Sequence, residues 1–146
     1  MEEKKLVFED APWGYALCFN SQCEKSGRCL RYQVGLVAPA NLEVGKAIYP
    51  SAWKNGDCRH FHEKRMVKLA WGFNNIYAHL TRGQASDIRS SIRAHLGSGM
   101  SAYYRYHHGE RMLTPQQQKE ILDIVARFNY KGDATFDHYV LTWDFT

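Results

Sequence analysis

Thr114-Pro115-Gln116-Gln117-Gln118-Lys119-Glu120-Ile121-Leu122-Asp123-Ile124-Val125-Ala126-Arg127-Phe128 reads as a helix from its first residue. Thr114 suits the N-cap, Pro115 the first helical position, and Gln117 can reach back to complete a capping box. Ile121, Leu122, Val125 and Phe128 then recur at the spacing of one buried face. Such a face has to be covered by other elements, so its neighbours decide the fold class.

Downstream, Gly132 ends the helix. Phe136 to Phe145 alternates well enough for a C-terminal strand, with Val140, Thr142 and Trp143 suited to a pleated surface. Upstream, Ala85, Ile88, Ile92 and Leu96 form a second apolar stripe, which predicts a helix over 84–96 stopped by Gly97. Met66, Ala70, Phe73, Tyr77 and Leu80 form a third and predict a helix over 63–80. Gly72 weakens the middle of that helix by about 1 kcal/mol relative to Ala. The break Thr81-Arg82-Gly83 separates these two helices. Leu96-Gly97-Ser98-Gly99 reads as a loop. The Tyr-rich run Ser101 to His107 reads as a strand that His108-Gly109-Glu110 turns back through Arg111 to Leu113.

Residues 1–62 read as irregular, with Pro12, Pro39, Pro50 and short strands at Tyr15–Phe19 and Tyr32–Val37. The expectation is one α+β domain over 1–146. About three helices (63–80, 84–96 and 115–129) pack on a small antiparallel sheet, with an irregular Cys-bearing N-terminal segment. At 146 residues and 45% hydrophobic, such a domain is large enough to bury a core. No apolar run approaches the length of a membrane span, and Leu6 to Asp10 holds no signal-peptide core. A cytoplasmic protein with no membrane partner is expected. The net charge of +4 and a pI of 8.9 are mildly basic.

The four cysteines all lie in the N-terminal region. Cys18, Cys23 and Cys29 are separated by four and five residues, and the fourth opens Cys58-Arg59-His60-Phe61-His62. Thiolate with imidazole nearby is the ligand chemistry of zinc, and in a reducing compartment close cysteines bind metal more often than they form disulfides. The expected ligands are Cys18, Cys23, Cys29 and Cys58, with His60 or His62 as a substitute. The spacing resembles the start of a CCCH finger, but Gln33 stands about where that pattern places a His. An iron–sulfur cluster has the same ligand chemistry. Two disulfides, or thiols packed as small hydrophobes, are the alternatives. Leu17-Cys18-Phe19 suits such packing, whereas the polar surroundings of Cys23 and Cys29 do not.

Three kinds of function fit the remaining residues. The helices at 63–80 and 84–96, joined by a turn with Gly83, outline a helix-turn-helix. Arg82, Ser86, Arg89 and Arg93 share one face of the second. The Tyr-rich hairpin with Tyr104, Arg105 and Arg111 would be a wing, suited to phosphate and base contacts. That makes nucleic acid the first candidate partner. The second reading is a protein-interaction adaptor anchored by Trp53, Tyr104 and Tyr106. The third is an enzyme using the His-rich site around 103–111, where His107, His108 and Glu110 offer acid–base chemistry, with Asp137-His138 beyond it. No nucleophile elbow, phosphate loop, dinucleotide fingerprint or His-Glu-x-x-His motif accompanies it, so no catalytic residue is assigned.

Cys18-Phe19-Asn20-Ser21-Gln22-Cys23, Cys29-Leu30-Arg31-Tyr32, Tyr103-Tyr104-Arg105-Tyr106, Gly109-Glu110-Arg111 and Phe136-Asp137-His138-Tyr139 carry a further signal. On these motifs the chain resembles a family of small proteins from Bacteroidales bacteria, a domain of unknown function. The resemblance covers most of the length and implies a bacterial cytoplasmic protein. It implies no activity and no catalytic residue.

Overall fold

The computed structural model describes residues 4–97, 99–128, 130 and 134–146. Helices and small sheets mix along the chain, so the class is α+β. Gly132 and Ser98, expected in a helix stop and a loop, lie outside the described residues.

The strongest helix signals hold. The segment Pro115–Arg127 is a helix (α5), and Arg82–Leu96 is another (α3). Each starts in a reciprocal capping box. Thr114 Oγ1 accepts the Gln117 N–H at 3.2 Å while Gln117 Oε1 accepts the Thr114 N–H at 3.0 Å. Thr81 and Gln84 repeat the arrangement at the same distances, which moves the start of α3 two residues ahead of the expected 84.

Three expected elements change type. The helix expected over 63–80 is instead strand β5 (Met66–Trp71) followed by the single-turn helix α2 (Asn74–Tyr77). Gly72 separates them at φ 86, a left-handed conformation that no helix interior contains. A Cβ there would lie 2.6 Å from the Asp137 carboxylate, which accepts the N–H groups of Asn74 and Asn75 at 3.0 and 2.7 Å. The Tyr-rich strand and hairpin are helix α4 (Met100–His108), because Tyr103 and Tyr106, one turn apart, bury the same side. Of the return strand only Leu113 pairs, as an isolated bridge to Ala70. The strand expected at Tyr32–Val37 is helix α1 (Leu30–Leu36), which buries Leu30 and Val34 four residues apart. With a strand in place of its first helix and a helix in place of its wing, the expected helix-turn-helix is not formed.

Among the described residues, three two-stranded ladders stand in place of the expected single antiparallel sheet. β1 (Leu17–Cys18) runs parallel to β2 (Ala47–Ile48). β3 (Trp53–Lys54) and β4 (Asp57–Cys58) form a hairpin closed by Asn55-Gly56, both at positive φ (54 and 75) as a primed two-residue turn demands. β5 pairs with β6 (His138–Trp143), the expected C-terminal strand.

Two compact units divide the chain. One comprises residues up to Met66 with Thr142–Thr146, around a core of Leu6, Leu17, Leu30, Val34 and Trp143. The other, Val67–Leu141, buries Ile88 and Ile92 of α3, Tyr103 and Tyr106 of α4, and Ile121 and Ile124 of α5 with Phe73, Leu113 and Phe136.

Candidate functional site

Four local structures bring the cysteines to one place in the first unit. Cys18 ends β1, beside Ile48. Cys23 closes a turn in which the Asn20 carbonyl accepts the Cys23 N–H at 3.3 Å and Asn20 Oδ1 accepts the Gln22 N–H at 3.2 Å. Cys29 is the N-cap of α1 and bridges to Glu63. Cys58 lies in β4, opposite Trp53. Gly35 lets α1 approach β1, since a Cβ there would meet the Cys18 carbonyl oxygen at 2.9 Å.

Arg31 ties these pieces together. Its Nη1 donates to the Ala16 carbonyl and its Nε to the His60 carbonyl, both at 3.0 Å. Those carbonyls lie two residues before Cys18 and two after Cys58. Lys25 adds a second tie, its Nζ 3.0 Å from the Asp57 carboxylate and 5.0 Å from the centre of the Phe61 ring.

All four cysteines line one cavity of about 30 Å³, with Lys25, Arg31, Ile48, His60 and Phe61 among its other walls. That space suits an ion or one or two waters and is far below what an organic ligand needs. The cysteines are free thiols. Among the described residues, no three Cys, His, Asp or Glu side chains are gathered closely enough to ligate one ion as they stand. The four cysteine residues therefore line one space without forming a ready-made ligand cluster. The donor set fits zinc: soft sulfur, with Lys25 and Arg31 in the wall to offset the charge of several thiolates.

His60 lines this cavity; His62 is not among the residues that do. His62 Nδ1 shares a 2.6 Å hydrogen bond with the Tyr15 hydroxyl, and its ring meets that of Phe145 edge-on. Burial and then the nearby Arg31 charge hold the His62 pKa below its usual value. Burial pushes the Tyr15 hydroxyl up to about 12.

The candidate nucleic-acid residues all lie in the second unit. Arg82, Arg89 and Arg93 fall on one stripe of α3, as the helical repeat requires, with Arg82 exposed and the other two half-buried. The Arg89 guanidinium lies 4.8 Å over the Tyr77 ring, and that of Arg111 lies 5.4 Å over Tyr106. Arg105 and Tyr104 are exposed on α4, and Tyr104 stacks on His108. The adaptor anchors change: Tyr106 is only 7% exposed, Trp53 is half-buried, and Trp13 is 99% exposed instead. His107 is packed on Phe73 and Tyr103, and its Nδ1 accepts the Phe73 N–H at 3.2 Å. Burial and then the neighbouring His108 lower its pKa.

In the sequence Arg31 stands only as part of Cys29-Leu30-Arg31-Tyr32 with no role of its own, and the Asn55-Gly56 turn is not marked. The turn had a signal, since Asn-Gly between short strands marks a hairpin. Nothing local to Arg31 shows that it joins two distant carbonyls.

Fold and cavity together define a small α+β protein with a four-thiol pocket. The chain belongs to the family of unknown function DUF6078, whose profile matches residues 1–145. No curated protein and no solved structure matches it. Among the described residues no helix is long and apolar enough to cross a membrane.

Proposed function

We propose that this is a zinc-stabilised binding module of the bacterial cytoplasm, with nucleic acid as its partner. The carrying observation is that Cys18, Cys23, Cys29 and Cys58, drawn from four separate local structures, line one ion-sized cavity. A bound zinc would take these thiolates at about 2.3 Å and hold the N-terminal unit together. His60 is the wall residue available as a substitute ligand.

The nucleic-acid half of the proposal draws on the arginine stripe of α3 and on the net charge of +4. Of the five candidate arginines, Arg89 and Arg111 have a tyrosine under the guanidinium among the described contacts, whereas Arg82, Arg93 and Arg105 do not. They would contact phosphates, with Tyr104 alongside as a stacking surface.

Elemental analysis of protein purified under reducing conditions tests the metal. About one equivalent of zinc is expected, lost in Cys58→Ser together with stability. Metal-free protein of unchanged stability overturns the reading. For the partner, binding of a short oligonucleotide should weaken steeply with salt, and Arg82→Gln with Arg93→Gln should reduce that dependence. Salt-independent binding, or none, removes nucleic acid from the proposal.

A further inference from the structure

The walls of the thiol cavity are unequally accessible, and this gives it a second chemistry. Cys29 is 8% exposed, whereas Cys18, Cys23 and Cys58 are half-buried. Cys23 differs from the other two. Together with Asn20 it also lines an open groove of about 590 Å³ whose other walls include Gln22, Glu24, Pro50 and Trp53. Cys23 therefore borders both the small thiol cavity and a space wide enough for small molecules to enter. Cys18 and Cys58 sit in paired strands and Cys29 caps a helix, but Cys23 is held only by turns. Its segment is the one that can shift without breaking a ladder.

We propose that the cavity is a peroxide-sensitive thiol switch in which Cys23 is the sulfur oxidised first, Cys18 or Cys58 completes a disulfide with it, and Cys29 stays reduced. This rests on the shared-cavity reading above and not on the identity of the metal. In the first step the Cys23 sulfur attacks one oxygen of hydrogen peroxide. The O–O bond breaks, leaving a sulfenic acid and a hydroxide that takes a proton to become water. In the second, the thiolate of Cys18 or Cys58 attacks the Cys23 sulfur, the S–S bond forms, and the sulfenic oxygen leaves as a second water. The two sulfurs lose two electrons and the peroxide gains them. Two equivalents of a small thiol entering by the groove reverse the change and become its disulfide. Oxidation leaves at most two cysteines for a metal, so any zinc held there is released.

The test uses the full chain, reduced, desalted and treated with hydrogen peroxide near stoichiometry. Free thiols, intact mass, released zinc and alkylation-mapped peptides are followed together. About two thiols should disappear with a mass loss of about 2 Da, and dithiothreitol should restore both. The cross-linked peptide should contain Cys23 while Cys29 remains alkylatable. Cys23→Ser should keep its thiols at doses that oxidise the parent. Should that variant misfold, the cross-link map of the parent decides the matter. Thiols that stay reduced in zinc-bearing protein overturn the switch and leave the zinc reading intact. A reversible Cys23 disulfide in protein that never held zinc does the reverse. A cross-link that contains Cys29 and spares Cys23 also overturns the switch.

Discussion

Glycines that look alike in the sequence have opposite roles here. Gly72, by composition a weak point in a helix, is instead a left-handed junction pressed against Asp137. Gly72→Ala should cost about 2–4 kcal/mol, from backbone strain and from displacing the carboxylate that caps α2. Gly35→Ala should cost about 1–3 kcal/mol by pushing α1 away from the Cys18 carbonyl, and the proposed zinc site should lose affinity with it. Gly83, in α3, has nothing within 4 Å of where a Cβ would lie, so Gly83→Ala should stabilise by about 0.5–1 kcal/mol. Urea melts of the three variants check both signs. Arg31 belongs to the same class of position. Arg31→Met removes two hydrogen bonds from guanidinium to carbonyl and should cost about 2–4 kcal/mol, and it should weaken the proposed metal site where Gly83→Ala does not.

Helices were legible where their ends carry chemistry. The box at Thr114 satisfies N–H groups within four residues and is legible in the sequence, whereas the equivalent box at Thr81 falls in the stretch expected to be a break. Thr114→Ala should destabilise by about 1 kcal/mol and Thr114→Ser by much less, read from denaturant midpoints. Periodicity found α3 but misled over 63–80. Met66, Ala70, Phe73, Tyr77 and Leu80 mimic a helical stripe, yet Met66–Trp71 is extended, paired with β6 and bridged from Ala70 to Leu113. Tyrosine favours strands by packing on pleated surfaces, but its preference yields to context. In α4, two tyrosines one turn apart meet the core beside α3 and Phe73, and burial outweighs intrinsic preference. Leu30 and Val34 decide α1 in the same way.

Across the molecule, two half-buried histidines contribute to the response to acid. His62 in one unit and His107 in the other both have lowered pKa values, from burial first and then from Arg31 and His108 respectively. Between the depressed native values and the unfolded value of about 6.5, the unfolded chain binds more protons. Stability should therefore be flat above about pH 7 and fall as the pH drops through 6.5 towards the native values, where the loss levels off. His107→Gln should flatten part of that slope in chemical denaturation followed from pH 8 to pH 5. Asp144 acts lower. Its burial raises the pKa, but hydrogen bonds from Thr146 and Arg65 outweigh that and hold it below 3.8, so its contribution is lost only as the pH falls through that depressed value. The α+β class, the two capped helices, the C-terminal strand and the concentration of thiols in the first 58 residues were all readable from composition, end signals and spacing. The shared cavity, the division into two cores and the inaccessibility of Cys29 were not. They depend on Arg31 reaching carbonyls 15 and 29 residues away and on Gly35 admitting a strand. Contacts between residues so far apart in the chain leave no pattern in the residues beside them.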